Sequence, residues 1–114
     1  MTTDFRDQLS VLMEDPTGFR MFKAVSFGKF SLSIQASYGH YCSPRRTLPN
    51  VADYSTFECM LMENGEDINP TTDSRFAGIV DAWSDIGAHV PVAQVQALFE
   101  RCRTLFVTET PFTE

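Results

Sequence analysis

A strictly alternating segment limits what this chain can fold into. Between residues 30 and 37, larger apolar side chains alternate with mostly small polar ones: Phe30, Leu32, Ile34 and Ala36 against Ser31, Ser33, Gln35 and Ser37. Because successive side chains of a β-strand point to opposite faces, this pattern predicts a strand with one buried face. Residues 19–27 are rich in Phe and Val, and Gly28 suits a turn. Together the two segments predict an antiparallel hairpin.

The next part of the chain predicts one more strand between two loops. Residues 54–62 place Phe57, Cys59 and Leu61 on one side of an extended segment. Residues 38–53 contain two prolines, a glycine and an asparagine, so we expect a loop there. Residues 63–72 are polar and acidic, and we expect a second loop.

The two ends of the chain show helical spacing. In residues 1–16, apolar side chains recur at intervals of three and four, which predicts an N-terminal helix: Phe5, Leu9, Leu12 and Met13. Pro91 suits the first turn of another helix. That helix would carry one apolar stripe: Val92, Val95, Leu98, Phe99 and Cys102. Residues 76–86 fit a helix or a strand, and residues 104–108 fit a short final strand.

These elements predict a single α+β domain over residues 1–114. A three- to four-stranded antiparallel sheet in residues 19–62 would carry an N-terminal helix in residues 1–16 and a C-terminal helix on one face. Residues 73–108 would form a helical part that ends in the short strand. The chain has no apolar run near the about 20 residues of a membrane-spanning helix. It also lacks a basic-then-apolar start, so we expect neither a membrane nor a secreted protein.

The charge is negative and unevenly distributed. Nine basic and fifteen acidic side chains give a net charge of −6, with +2 on residues 1–50 and −8 on residues 51–114. A general nucleic-acid binder gains its affinity mainly from Lys and Arg on phosphates, so we expect no direct nucleic-acid partner. The acidic half is typical of a solubilising surface, but it also fits a face that docks on a basic protein. Six acidic residues are candidates for that face: Glu63, Glu66, Asp67, Asp73, Asp81 and Asp85.

Three cysteines occur at wide spacings, at positions 42, 59 and 102. An odd number without a CxxC pair argues against a disulfide framework and favours a reducing cytoplasm. The spacings match no standard zinc pattern. We therefore expect no metal and no cofactor.

The loop after the alternating strand concentrates side chains that suit recognition. Tyrosine, histidine, cysteine and arginine fall within nine residues: Tyr38, His40, Tyr41, Cys42, Arg45 and Arg46. Tyrosine and arginine dominate protein interfaces because each combines a large contact area with a polar tip. His40 and Cys42 also suit a base and a thiolate nucleophile, although a buried structural thiol is the commoner role. No catalytic motif supports an enzyme.

A longer string extends this loop into a family pattern. SIQASYGHYCSPR is followed by Tyr54, by Phe57-Glu58 and by Val90-Pro91 at a helix start. Over roughly residues 29–102, the chain resembles a family of short proteins of phages, prophages and other bacterial mobile elements, with a pattern S-x-Q-A-S followed by Y-x-Y-C-x-P-R. The resemblance implies a phage accessory protein that binds one host protein, in the manner of anti-CRISPR and other anti-defence inhibitors. It implies no catalytic residue.

The preferred hypothesis is therefore a phage-type inhibitor in the cytoplasm of a bacterial host cell. It would occupy the surface of a host complex, most simply a CRISPR effector, without catalysis, either through the acidic residues or through the loop 38–46. We expect a monomer or a homodimer without a membrane partner. An alternative is a small nucleic-acid- or nucleotide-binding module that stacks bases on the tyrosines of that loop. A third hypothesis is an enzyme that uses Cys42.

Overall fold

The computed structural model describes residues 3–84 and 86–109. The fold is α+β, as the sequence predicts, with antiparallel sheets and one C-terminal helix. The described residues form seven strands: β1 (Val11–Glu14), β2 (Arg20–Phe22), β3 (Val25–Phe27), β4 (Phe30–Gln35), β5 (Thr56–Glu63), β6 (Glu66–Ile68) and β7 (Gly87–Pro91). Helix α1 covers Val92–Glu109. No helix in these residues is long and apolar enough to cross a membrane.

The main sheet has five strands, in the order β3-β4-β5-β6, with β7 also paired to β5. Strand β4 is the alternating segment, and its apolar side chains lie in the core, as predicted. It pairs with β5 in a register that places Leu32 opposite Leu61 and Ile34 opposite Cys59. Helix α1 covers this face with the predicted stripe, in which Val95, Leu98 and Cys102 are fully buried. The apolar alternation and the helical stripe therefore meet in one core.

The predicted N-terminal helix over residues 1–16 is wrong. Only a 3-10 turn, Phe5–Gln8, forms there, capped by the Asp4 carboxylate on the Arg6 N–H. The chain then enters β1, which pairs antiparallel with β2 in a separate two-stranded sheet. The turn between them is closed by Asp15, whose carboxylate accepts from the Thr17 and Phe19 N–H groups. Strand pairing across this turn prevails over the helical spacing of the apolar residues, of which the last two, Leu12 and Met13, are exposed.

The hairpin predicted over residues 19–36 is also divided differently. The extended segment is interrupted after β2, so that β2 pairs with β1 while β3 pairs with β4. At Phe22, the side-chain amide of Gln35 makes the hydrogen bonds that a paired main chain would otherwise make. Its oxygen accepts from the Phe22 N–H at 2.7 Å and its nitrogen donates to the Phe22 carbonyl at 2.9 Å.

The C-terminal half differs from the prediction in three places. Strand β6 lies within the expected loop 63–72, because Asn64 and Gly65 adopt the positive φ of a two-residue hairpin turn. Residues 77–84 and residue 86 form neither a helix nor a strand; a 3-10 turn, Ser74–Phe76, precedes them, and β7 follows. The final strand expected at residues 104–108 is wrong, since α1 continues through it and Leu105 packs against the core.

Candidate functional site

The loop 38–46 is held in place from beneath by the buried side chain of Tyr54. Its hydroxyl donates to the Arg46 carbonyl at 2.6 Å. The same oxygen accepts from the Leu48 N–H at 2.7 Å and from Arg20 Nη2 at 3.1 Å. Three hydrogen bonds on one hydroxyl tie the end of the loop to the core.

Arg20 holds the other side of the loop. Its side chain is buried and donates to two carbonyls, Ala36 at the start of the loop and Leu48 beyond its end, both at 2.8 Å. The guanidinium lies over the Phe22 ring, 4.7 Å from its centroid. Among the residues that the structure describes, Nε of Arg20 has no hydrogen-bond partner. A buried cation bound to neutral carbonyls costs desolvation, so its contribution is to fix the geometry of the two ends.

Four of the predicted loop residues are exposed: Tyr38, Tyr41, Arg45 and Arg46. Tyr38 and Tyr41 expose 44% and 46% of their surface. Arg45 joins them, because its guanidinium lies 4.9 Å from the Tyr41 ring centroid and its Nε donates to the Tyr38 carbonyl at 3.2 Å. The Tyr38 hydroxyl is within 2.7 Å of Thr17 Oγ1 in the β1–β2 turn.

Two residues that the sequence analysis did not select complete this surface. His89 in β7 has a positive φ of 52°, and its N–H donates to the Tyr41 carbonyl at 3.0 Å. Its ring lies 6.2 Å from the Tyr41 ring, with Nδ1 3.2 Å from Ser43 Oγ. Glu58 in β5 accepts from the Tyr41 N–H at 2.9 Å. No local sequence signal marks His89, because only the pairing of β5 with β7 brings it to the loop.

His40 does not belong to the exposed surface. Only 5% of it is exposed, and its ring stacks on Phe19. Nδ1 lies 2.7 Å from Ser37 Oγ and Nε2 lies 3.2 Å from Met21 Sδ. Burial lowers the pKa of His40. Its contacts are those of a core residue, so a role in partner contact would require it to leave this packing.

Cys42 is likewise buried. Its thiol contacts the carbonyl oxygens of Ser37 and Pro44, each at 3.4 Å. Burial raises the pKa of this thiol, which disfavours the thiolate that a nucleophile needs. Both ring nitrogens of His40 face other groups. The arrangement of a base beside a reactive thiol, which the sequence suggested, is not formed here.

The six acidic candidates do not form one uniform face. Arg75 binds Glu63 through two hydrogen bonds of 2.9 Å and binds Asp73 at 2.7 Å, while Lys29 lies 3.2 Å from Glu63. The Arg75 hydrogen bonds hold the pKa of Glu63 at about 2. These charges are balanced within the chain.

The remaining acidic candidates are separate from that ion-pair group. Glu66 and Asp67 are exposed on β6. Asp81 is exposed and accepts from Gln94 Nε2 at 3.1 Å. Asp85 lies outside the described residues. Within those residues, no group of three or more His, Cys, Asp or Glu side chains could hold a metal ion.

No protein-family model, no curated protein and no solved structure matches the chain.

Proposed function

We propose that this protein is a phage-type anti-defence protein that binds a host protein complex and inhibits it by occluding its surface, without catalysis. The contact would be the loop surface, which we define as the exposed side chains of Tyr38, Tyr41, Arg45, Arg46 and His89. The observation that carries the proposal is the Arg45 guanidinium over the exposed Tyr41 ring, 4.9 Å from its centroid, in a loop fixed by buried Tyr54 and Arg20. A surface that is ordered before binding loses little conformational entropy on binding.

The loop surface is a better candidate for the contact than the acidic residues. The acidic residues could act only by imitating phosphate charge and covering the nucleic-acid groove of a basic protein, which requires uncompensated negative charge. Glu63 and Asp73 are instead paired with Arg75 and Lys29. By contrast, Arg45 and Arg46 have no carboxylate within ion-pair distance among the residues that the structure describes. Exposed tyrosine and arginine side chains are the usual centres of binding energy in protein interfaces.

The host complex that we propose is a CRISPR effector in the bacterial cytoplasm. The support is the resemblance of residues 29–102 to short proteins of phages and prophages. Inhibitors encoded by such elements commonly act on a single host protein.

The test is capture of the target, followed by inhibition. The tagged protein is incubated with lysate of a bacterium with an active CRISPR system, and retained proteins are identified by mass spectrometry. We expect one effector subunit at a near-equal molar ratio, and loss of target-DNA cleavage at that ratio by the purified effector. Retention of no defence-complex subunit, or full cleavage at saturating protein, would refute the proposal.

Binding of a nucleic acid or nucleotide through the same loop is a second candidate. The observation that favours it is the pair of exposed rings, Tyr38 and Tyr41, beside two arginines, since bases stack on such rings. The net charge of −6 opposes it. Titration of a labelled single-stranded oligonucleotide at low salt distinguishes the two candidates. Saturable, salt-sensitive binding that Tyr41→Ala abolishes would favour this candidate over the inhibitor.

A further inference from the structure

A second surface lies on the sheet face opposite α1. On β5, Phe57, Cys59 and Leu61 point into the core, whereas the alternate residues, among them Met60 and Met62, lie on the other face. The outer face of an antiparallel sheet is ordinarily polar when water covers it. Two neighbouring methionines at these positions are an exception that needs a physical reason.

The β1–β2 hairpin makes a groove over this face. Gln35 fastens β2 to one end of the sheet through the Phe22 main chain, so the hairpin covers the face only in part. The space between them has a volume of about 330 Å³. Leu12 and Met21 line it from the hairpin, and Met60 and Met62 line it from the sheet. Leu12 exposes 61% of its surface.

The composition of the groove defines what it can bind. Three of the chain's five methionines line it, and their unbranched thioethers adapt to apolar side chains of varied shape. Among the described lining residues, Glu58 alone carries a charge. One of its oxygens accepts from the Tyr41 N–H, and Oε2 has no hydrogen-bond partner in the described part of the chain. A single carboxylate beside an apolar floor complements a segment with one Lys or Arg next to apolar side chains.

The groove is also continuous with the loop surface. Glu58, which lines the groove, accepts a hydrogen bond at 2.9 Å from the N–H of Tyr41, a residue of the loop surface. One partner could therefore contact both. We infer that the groove binds a protein segment that presents apolar side chains with an adjacent Lys or Arg. The inference rests on the proposed function for the existence of a protein partner, but not for the chemistry of the groove.

The test uses the full chain with ¹³C-labelled methionine methyl groups and two synthetic peptides. The first is an 18-residue amphipathic helix of leucine and lysine, and the second has glutamate in place of lysine. We expect the lysine peptide to shift the methyl signals of Met21, Met60 and Met62 saturably, and the glutamate peptide to bind at least about fivefold more weakly. The lysine peptide should leave the other methyl signals of the folded protein unchanged.

Two substitutions with matched controls locate the binding. Leu12→Ser should lower the affinity for the lysine peptide about tenfold. Val107→Ser, which alters a 69% exposed apolar side chain on α1, should not lower it. Glu58→Gln keeps an oxygen that can accept from the Tyr41 N–H, and it should lower the affinity for the same peptide about threefold to fivefold. Glu66→Gln on β6 is its control and should change the affinity less than twofold.

Three outcomes would overturn the inference. They are unchanged methionine signals, equal affinity for both peptides, and methyl shifts that depend on protein concentration without peptide, which would assign the groove to a second copy of the chain. The peptide assay also separates this inference from the proposed function. Peptide binding without capture of an effector would support the groove inference and refute the proposed inhibitor function. Capture of an effector without peptide binding would support the proposed function and refute the groove inference.

Discussion

Replacing Tyr54 with phenylalanine tests whether one buried hydroxyl fixes the loop surface. Tyr54→Phe keeps the ring, which is 2% exposed and packs 5.6 Å from the Phe57 ring. It removes the hydrogen bonds to the Arg46 carbonyl, the Leu48 N–H and Arg20 Nη2. The substitution therefore changes the hydrogen bonding of the loop without opening a cavity.

The expected cost follows from those three bonds. Each contributes a net 0.5–1.5 kcal/mol in general, and a buried donor left without a partner costs about 1–3 kcal/mol. Arg20 Nη2 keeps the Ala36 carbonyl, and water can reach the partly exposed Arg46 and Leu48 groups. We therefore expect a loss of about 2 kcal/mol in the free energy of unfolding.

Urea unfolding, followed by the fluorescence of the single tryptophan, measures this loss. The matched control is Tyr38→Phe, which removes an exposed hydroxyl that lies 2.7 Å from Thr17 Oγ1 and should cost less than about 0.5 kcal/mol. A loss below about 0.5 kcal/mol in Tyr54→Phe, or equal losses in both variants, would refute the reasoning that Tyr54 fixes the loop.

Three further predictions concern charge, backbone conformation and the thiols. Glu63, with a pKa of about 2, stabilises the fold above its ordinary pKa of 4.5, and that contribution is lost as the pH falls from there toward 2. The urea midpoint of Glu63→Gln should therefore lie below that of the unsubstituted protein at pH 6 and approach it at pH 3; a gap independent of pH would contradict the Arg75 pairing. Gly28→Ala should destabilise by about 2–3 kcal/mol, because φ is +66° and the new Cβ would lie 2.8 Å from Phe106, whereas Gly65→Ala, with φ of +82° and open space, should cost about 1 kcal/mol. Thermal unfolding compares the two, and equal losses would exclude the Phe106 contact as a cause. The three buried cysteine thiols should not react with a thiol reagent near pH 7 until denaturant is added, since burial raises the pKa of each; rapid labelling of the native protein would show an accessible thiolate.

The sheet and helix core could be predicted because its signals are local. The alternation from Phe30 to Ser37 and the α1 stripe each show their buried face in a short window. The N-terminal error has a different cause. Leu12 and Met13 recur at the spacing of a helix, yet both are exposed on β1, since the turn at Asp15 returns the chain onto β2. Spacing alone does not tell which apolar face will be buried.

The candidate site was only partly predictable for a related reason. Tyr38, Tyr41, Arg45 and Arg46 could be selected because their residue types suit binding. His40 has an equally suitable type, but the contacts that bury it, with Phe19 and Met21, come from β2 and the chain preceding it. His89 reaches the loop only through the β5–β7 pairing. The local sequence does not indicate such long-range placements, whereas the Asn64-Gly65 pair is a local signal that indicates a hairpin.

The most direct test of the central claim compares two double variants for capture of the host effector. Tyr41→Ala with Arg45→Ala removes both members of the cation–π pair of the loop surface. Glu66→Lys with Asp67→Lys reverses two exposed charges on β6. Both alter exposed side chains, so circular dichroism should show the native fold in each. We predict that the loop variant loses capture and inhibition at least tenfold, a change of about 1.4 kcal/mol, while the β6 variant stays within about twofold. Full capture by the loop variant would contradict the account, whatever the β6 variant does.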